Sequence, residues 1–235
     1  FKKTHVTRMA RILSTLQWET LITCITDQAS HSPEFERHLF ILSMFYLLGL
    51  RISELAPTHR HNPTMSDFFK DQYGCWWFVT VGKGNKEREV AVPDALLKAL
   101  IRYRTYLNLP TRLPVRGEST PLVPKQKGQG SIGLRQLRYT VQTAFDLAIE
   151  VLSQQGHLDA CDELSAATAH WLRHTAISID VQHRPRAHVR DDAGHDNIAT
   201  TDRYVDTERQ ARHRSAQHKT LLTPATQQGI QHNER

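Results

Sequence analysis

The chain has 235 residues, of which 39% are hydrophobic and 23% charged, so it can bury one good core and wholesale disorder is excluded. Its formal net charge of +6 at pH 7 suits a polyanionic partner without requiring one. Three separate cysteines with no CxxC pair argue against a disulfide framework or a thiolate metal site, and favour a reducing cytoplasm.

The first predicted elements are two helices. Ser14, with Gln17 three residues later, forms the pattern of a capping box at the start of a helix. Pro33 opens a second helix, whose apolar run over residues 39–50 is too short to cross a bilayer and therefore indicates a buried helix. We expect this helix to carry Arg51 at its end, where a cation would also interact favourably with the helix dipole.

A small antiparallel sheet is predicted next. Residues 76–81 and 87–92 are strand-like and flank the glycine-rich segment 82–86, which predicts a hairpin. A shorter strand near residues 67–70 would complete the sheet, and Asp94 is placed to cap a following helix.

Helices dominate the remainder of the prediction. Further elements in chain order are a long surface loop over 108–133, a helix from Leu134 to Leu152, an unassigned polar stretch over 153–165, a helix with His170 and Arg173, short helices near 186–192 and 201–205, and a polar tail from Thr207. The predicted class is therefore mainly α with a small antiparallel β-sheet (α+β).

Two arginines are candidates for holding a phosphodiester. The planar guanidiniums of Arg51 and Arg173 can each give two parallel charge-assisted hydrogen bonds and do not lose their proton. His170 precedes Arg173 by one helical turn on the same face and suits acid–base chemistry near neutral pH. His170 and His174 also have the spacing of two metal ligands, but no third ligand is evident, so no metal is predicted.

The order of these residues resembles that of the tyrosine recombinase (phage integrase) family over about Ser14 to Glu208. The resemblance is carried by Leu-Gly-Leu-Arg-Ile-Ser-Glu-Leu at 48–55, Gly-Lys-Gly-Asn-Lys-Glu-Arg at 82–88, His-Trp-Leu-Arg-His at 170–174, and a Gly-His pair with a tyrosine nine residues beyond it. It implies the catalytic-domain fold of that family. By resemblance the site comprises Arg51 and Arg173 as phosphate clamps, Lys83 as general acid, His170 as acid–base assistant, His195 as phosphate hydrogen-bond donor and Tyr204 as nucleophile.

The resemblance also implies a function. It predicts a site-specific DNA recombinase or integrase that cleaves and rejoins strands through a covalent 3′-phosphotyrosine, without metal, ATP or another cofactor. The expected partners are double-stranded DNA and further copies of the chain in a tetrameric synaptic complex, in a bacterial cytoplasm and not at a membrane. The predicted division is a linker over 1–13, the catalytic domain over 14–208, and a tail over 209–235 that is helical at its start and disordered beyond.

Related proteins carry an N-terminal helical domain that closes on DNA, and this chain, which opens at Phe1, is predicted to be a fragment without it. One departure from the family is Asp191-Asp192-Ala193, where paired leucines are usual. Basic residues outside the site, Arg88 and Arg184 among them, are interpreted as solvated surface. The alternatives are a type IB topoisomerase-like enzyme, a DNA-binding relative without catalysis, and a histidine-based metal protein.

Overall fold

The structure is a computed structural model that describes residues 11–194 and 205–222, and of Lys83 and residues 205–208 it describes the backbone only. Within those ranges the chain forms eight α-helices and one three-stranded antiparallel sheet in the order β1-β2-β3, which confirms the predicted class. The helices are α1 Thr15–His31, α2 Phe35–Leu48, α3 Asp94–Tyr106, α4 Leu134–Gln154, α5 Leu158–Ser165, α6 Ala169–His183, α7 Arg186–Ala193 and α8 Val205–Ala216, and the strands are β1 Phe68–Lys70, β2 Trp76–Val81 and β3 Glu87–Ala91.

The first four helices and α6 enclose an apolar core. Helix α1 packs on α2 and α4, and α2 also packs on α3 and α6. Phe45 of α2, Tyr103 of α3 and Phe145 of α4 are almost completely buried there. Each such side chain contributes about 1.5–3 kcal/mol through burial. The predicted capping box of Ser14 and Gln17 is present at the start of α1, so the local pattern and the packing agree.

Several predicted boundaries are corrected by the structure. Helix α2 ends at Leu48, before Arg51, because Gly49 takes a left-handed conformation (φ 62°) that no longer continues the helix. The polar stretch over 153–165, for which the sequence predicts no element, contains α5, which buries Cys161 and Leu164. Asp94 is the first residue of α3 and not its cap, which is the preceding proline.

The segment predicted as a long surface loop is partly internal. Its residues Leu122, Val123 and Ile132 are buried in the core, and short backbone bridges pair Thr64 with Pro121 and Pro124 with Ser131. The polar composition around these residues hid the apolar contacts, and the prediction was wrong for them.

The two faces of the sheet have different partners. Successive residues of a strand point to opposite faces. The cross-strand pair of Phe78 and Val90 joins the helical core, whereas the neighbouring pair of Trp77 and Ala91 packs against Ala216 of α8. Residues 207–216, which were placed in the predicted polar tail, therefore belong to helix α8, which covers the second face of the sheet; the tail beyond residue 222 lies outside the described residues.

Charged side chains meet beneath α8 in a group that we name the buried charge layer: Asp180, Arg184, Asp192, Arg212 and Lys219. Lys219 Nζ lies 2.7 Å from Asp180 Oδ2 and donates to the Leu47 carbonyl at 2.6 Å. Arg184 bonds both Asp180 (3.1 Å) and Asp192 (2.5 Å). Burial lowers the pKa of Lys219, an effect that Asp180 opposes. Arg184 is buried, so its interpretation as solvated surface was wrong.

Candidate active site

Arg51 lies in a tight turn directly after α2. A single 3₁₀ turn, Ile52–Glu54, follows it. Glu54 Oε2 accepts the Arg51 backbone N–H at 2.7 Å, and Glu54 Oε1 accepts from Arg51 Nη1 at 3.1 Å. The spacing of three residues thus lets Glu54 hold both the backbone and the side chain of Arg51. The arginine side chain remains 31% exposed, whereas that of Glu54 is 1% exposed.

Arg173 is buried between the ends of two helices. It donates through Nη1 to the carbonyl of Gly49 after α2, and through Nη2 to the carbonyl of Ala193 in α7 at 2.8 Å. Carbonyls at helix C-termini carry partial negative charge, so they suit a buried cation. Burial, then the charge of Arg51, lowers the pKa of Arg173 to about 10, which leaves it protonated at neutral pH.

The two candidate clamp arginines meet at the C-terminal end of α7. Besides Arg173 Nη2, Arg51 Nη1 reaches the Ala193 carbonyl at 3.5 Å, and Arg51 Nη2 reaches the carbonyl of Gly194 at 3.5 Å. The residues are far apart in the chain, so the fold alone brings them together. Gly194 has φ 63°, and a Cβ there would lie 2.8 Å from Arg88 Cδ, so both its conformation and its surroundings require glycine.

Two further members of this group, Arg88 and Glu54, were not predicted as site residues. Arg88 donates through both terminal nitrogens to Glu54, and through Nε to the carbonyl of Asp192 at 2.8 Å. The solvated-surface interpretation of Arg88 was wrong. The strand pattern held the signal, because Arg88 precedes the buried Val90 by two residues and therefore points to the same face.

The charge balance of the group favours an anion. Burial opposes ionisation of Glu54, but hydrogen bonds and charge from Arg88 and Arg51 outweigh it and hold the pKa of the carboxyl below its ordinary value. The three guanidiniums of Arg51, Arg88 and Arg173 face this one carboxylate, which gives three positive charges against one negative, a net charge of +2 for the four side chains. We name these four residues the arginine cluster.

His170 lies beside the arginine cluster on α6. Its ring meets that of His174 edge to face, with 4.2 Å between the ring centroids. Partial burial, and then the charges of His174, Arg173, Arg11 and Arg51, lower the pKa of His170. The imidazole is therefore neutral at pH 7 and able to accept a proton. Among the described residues, no three side chains of histidine, cysteine, aspartate or glutamate are grouped to hold a metal ion.

Lys83 lies in the turn between β2 and β3. The turn begins at Gly82, where a Cβ would lie 3.2 Å from Arg88 Nη1 and 3.4 Å from Glu54 Oε1. The backbone next to Lys83 is thus in contact with the arginine cluster, although the lysine side chain is outside what the structure describes. His195 and Tyr204 also lie outside the described residues. Of the six predicted site residues, Arg51, His170 and Arg173 are brought together.

Two solved structures with a similar fold are a site-specific recombinase and a phage integrase. A crystal structure of the XerH site-specific recombinase bound to difH substrate in a pre-cleavage complex aligns with a TM-score of 0.54 and 19% identity, over 89% of this chain and 56% of that chain. The integrase of mycobacterium phage Brujita aligns with a TM-score of 0.51 and 14% identity, over 96% of this chain and 63% of that one. These similarities show that the chain shares their fold.

The chain belongs to the phage integrase family, whose sequence model matches residues 12–211. Tyrosine recombinase XerC of Caldanaerobacter subterraneus subsp. tengcongensis is 27% identical over 179 residues, which are 74% of this chain. The chain spans 42% of the length of that relative. In the described part of the chain, no helix has both the length and the apolar character needed to span a bilayer.

Proposed function

We propose that this chain is the catalytic domain of a site-specific DNA recombinase that cuts and rejoins strands of double-stranded DNA through a 3′-phosphotyrosine. The observation that carries the proposal is the convergence of Arg51 and Arg173 on the carbonyl of Ala193. The two guanidiniums are close enough to donate to one group, and a phosphate has several oxygen acceptors for them.

The arginine cluster supplies the electrostatic part of the reaction. A phosphodiester carries one negative charge, and more charge develops on its non-bridging oxygens during attack. A net charge of +2 in a largely buried group stabilises that charge more strongly than it would in water. Arg51, the more exposed of the two clamps, would meet the phosphate first, and Arg173 would hold it from the protein side.

Proton transfers complete the proposed step. The Tyr204 oxygen forms a bond to phosphorus while the bond from phosphorus to the 5′-oxygen breaks. The phenol has an ordinary pKa near 10, so it attacks only when its proton is removed. His170, whose pKa is lowered, accepts that proton. Lys83 protonates the leaving 5′-oxygen, and His195 donates a hydrogen bond to the phosphate.

Rejoining is the reverse of cleavage with a different strand. The 5′-hydroxyl of the second strand gives its proton to Lys83 as it attacks the phosphotyrosine, and Tyr204 leaves with a proton returned from His170. The phosphotyrosine retains the energy of the phosphodiester, so neither ATP nor metal is required. Exchange between two duplexes requires several copies of the chain on DNA, and we include self-association in the proposal.

A trapping experiment tests the proposal. The chain is incubated with a library of nicked duplexes of randomised sequence, in which a cleaved strand loses its short 5′-hydroxyl fragment and cannot be resealed. Covalent protein–DNA adducts that survive denaturation are then counted. We expect adducts from the native chain and none from Tyr204→Phe, with duplex binding unchanged. Native chain that binds the library without forming adducts would contradict the proposal. On intact duplexes, which can be resealed, rejoining confined to one duplex would favour a topoisomerase-like reaction.

A further inference from the structure

The carbonyls at the end of α7 accept hydrogen bonds from three arginines, Arg51, Arg88 and Arg173. The carbonyl of Asp192 accepts from Arg88 Nε at 2.8 Å, and the carbonyls of Ala193 and Gly194 accept from the two clamp arginines. These carbonyls have no partner within the helix because the helix ends there. A displacement of this end therefore moves three guanidiniums together.

The side chain of Asp192 fixes that end from the opposite side. The residue is 4% exposed. Its Oδ2 accepts from Arg184 Nη2 at 2.5 Å, and its Oδ1 accepts the backbone N–H of Ala91 at 3.3 Å. Arg212 Nε of α8 forms an ion pair with Oδ1 at 3.2 Å. One carboxylate thus ties the end of α7 to β3, to the segment after α6 and to α8.

The contact with α8 connects the C-terminal helix to the arginine cluster. Arg212 also stacks over Trp77 at 4.8 Å from the ring centroid and donates to the Glu89 carbonyl at 2.8 Å, so its position depends on how α8 lies on the sheet. From Arg212 the contacts run through Asp192 to Arg88, and from Arg88 through Glu54 to Arg51. Each step is an ion pair or hydrogen bond between named groups.

We infer that Asp192 is a positioning residue for strand cleavage: its carboxylate holds the end of α7 so that docking of α8 sets the geometry of the arginine cluster. The inference rests on the proposed function. Asp192 itself does not touch the phosphate, because its carboxylate points away from the cluster into the buried charge layer. A carboxylate at this position is also the departure from the paired leucines that the sequence displays.

The test uses two variants that act at different points of the same connection. Asp192→Asn keeps the shape of the side chain and removes its charge, while Arg184 retains Asp180 and Ser215 as partners. Arg212→Gln leaves the pair of Asp192 and Arg184 intact. Asp191→Asn is the matched control, since Asp191 is the neighbouring acid, is 39% exposed and pairs with Arg190 only at the surface.

Adduct formation is measured in single turnovers on the nicked duplex that the native chain cleaves best, across a range of protein concentrations. We expect Asp192→Asn and Arg212→Gln to lower the rate at saturation by about 10- to 100-fold, as misplacement of catalytic groups by up to about 1 Å can do. The protein concentration that gives half the maximal rate should be the same for these variants as for the native chain. The control variant should match the native chain in both the rate and this concentration. The double variant should be no slower than the slower single variant, because both interrupt one connection.

Two results would overturn the inference. One is a native rate at saturation in either variant when circular dichroism shows it folded at the assay temperature. The other is a loss confined to the half-saturating concentration, which would indicate a role in binding alone. A native chain without any adduct would instead remove the proposed function, and the inference would fall with it.

Discussion

The helical core and the buried charge layer solve the same packing problem with different chemistry. The core between α1 and α4 is filled by apolar side chains, such as Phe45 and Phe145, that need no partner of a given charge. Beneath α8 the buried positions are Asp180, Arg184 and Lys219, which are stable only as a set. A core tolerates neighbours of similar size, whereas a buried ion pair tolerates only its own partner. The first region supplies stability, and the second supplies a defined position for α8.

The largest expected effect is in the helical core. Phe145→Ala removes a ring that is fully buried and should lower the free energy of unfolding by about 3–5 kcal/mol, because the lost burial is joined by the cost of a cavity. Leu16→Ala on α1, where the side chain is 42% exposed, is the control and should change it by less than about 0.5 kcal/mol. Urea unfolding followed by circular dichroism measures both. Equal effects would contradict the assignment of the core.

Removal of one charge from the buried charge layer should cause the second-largest loss in the free energy of unfolding. Asp180→Ala leaves Lys219 without its carboxylate and should cost on the order of 3 kcal/mol. The double variant Asp180→Leu with Lys219→Met removes both charges, and Arg184 keeps Asp192, so it should be more stable than the single variant. Urea unfolding of the native chain, of the single variants Asp180→Leu and Lys219→Met, and of the double variant gives the coupling between the two sites. A double variant less stable than the single one would show that this layer does not depend on charge pairing.

The two regions also differ in how far they could be predicted. The period of Leu137, Val141 and Phe145 predicted α4, since apolar spacing reports a buried face directly. A charged residue is normally expected to be exposed, so the burial of Arg184 and Asp192 could not be predicted from the sequence. Nothing next to these two residues in the sequence indicated that they would be buried.

The candidate site divides in the same way. Arg51, His170 and Arg173, which the structure brings together, could be predicted because a motif at fixed spacing marks each of them. Glu54 and Arg88 were missed as site members although both lie inside the quoted motifs, because their pairing joins segments that are distant in the chain. The sequence could not predict that carbonyls at the end of α7 accept from three arginines. Every residue has a backbone carbonyl, so residue types do not show which carbonyls act as acceptors.

Acid should weaken the docking of α8, with an effect smaller than that of removing a charge from the buried charge layer. Burial holds the pKa of His213 below its ordinary value despite the nearby Asp71 and Asp94, and Nε2 accepts the Trp76 N–H at 3.2 Å, which only an unprotonated nitrogen can do. The unfolded chain, with a histidine pKa near 6.5, therefore binds the proton first. Stability is full above about pH 6.5 and is lost as the pH falls below it.

Hydrogen exchange of the α8 amides at pH values between about 7.5 and 5 measures this loss after correction for the intrinsic exchange rate. His213→Gln offers an amide oxygen to the Trp76 N–H and does not titrate, so its stability should depend less on pH. An equal pH dependence in the native chain and this variant would exclude His213 as the cause.

The smallest expected effect concerns an ion pair at the surface. Arg102 contacts Glu36 through two nitrogens at 2.7 and 2.8 Å, but its side chain is 40% exposed. Such pairs contribute about 0.2–1 kcal/mol, since water screens them. Arg102→Gln should therefore lower the midpoint of urea unfolding far less than Asp180→Ala does, and the difference should grow at high salt. A loss as large as that of Asp180→Ala would remove the distinction between the buried and the exposed pairs.

The central claim, that two distant arginines act on one phosphate, is tested most directly by a double-mutant cycle on adduct formation. Arg51→Gln and Arg173→Gln should each lower the single-turnover rate by about 10²–10³-fold, as loss of one donor to developing charge does. The double variant should lose much less than the two factors multiplied, because both side chains serve the same group. Arg60→Gln, in an exposed loop, is the control. Fold-losses that multiply fully, or native rates in either single variant, would contradict the account.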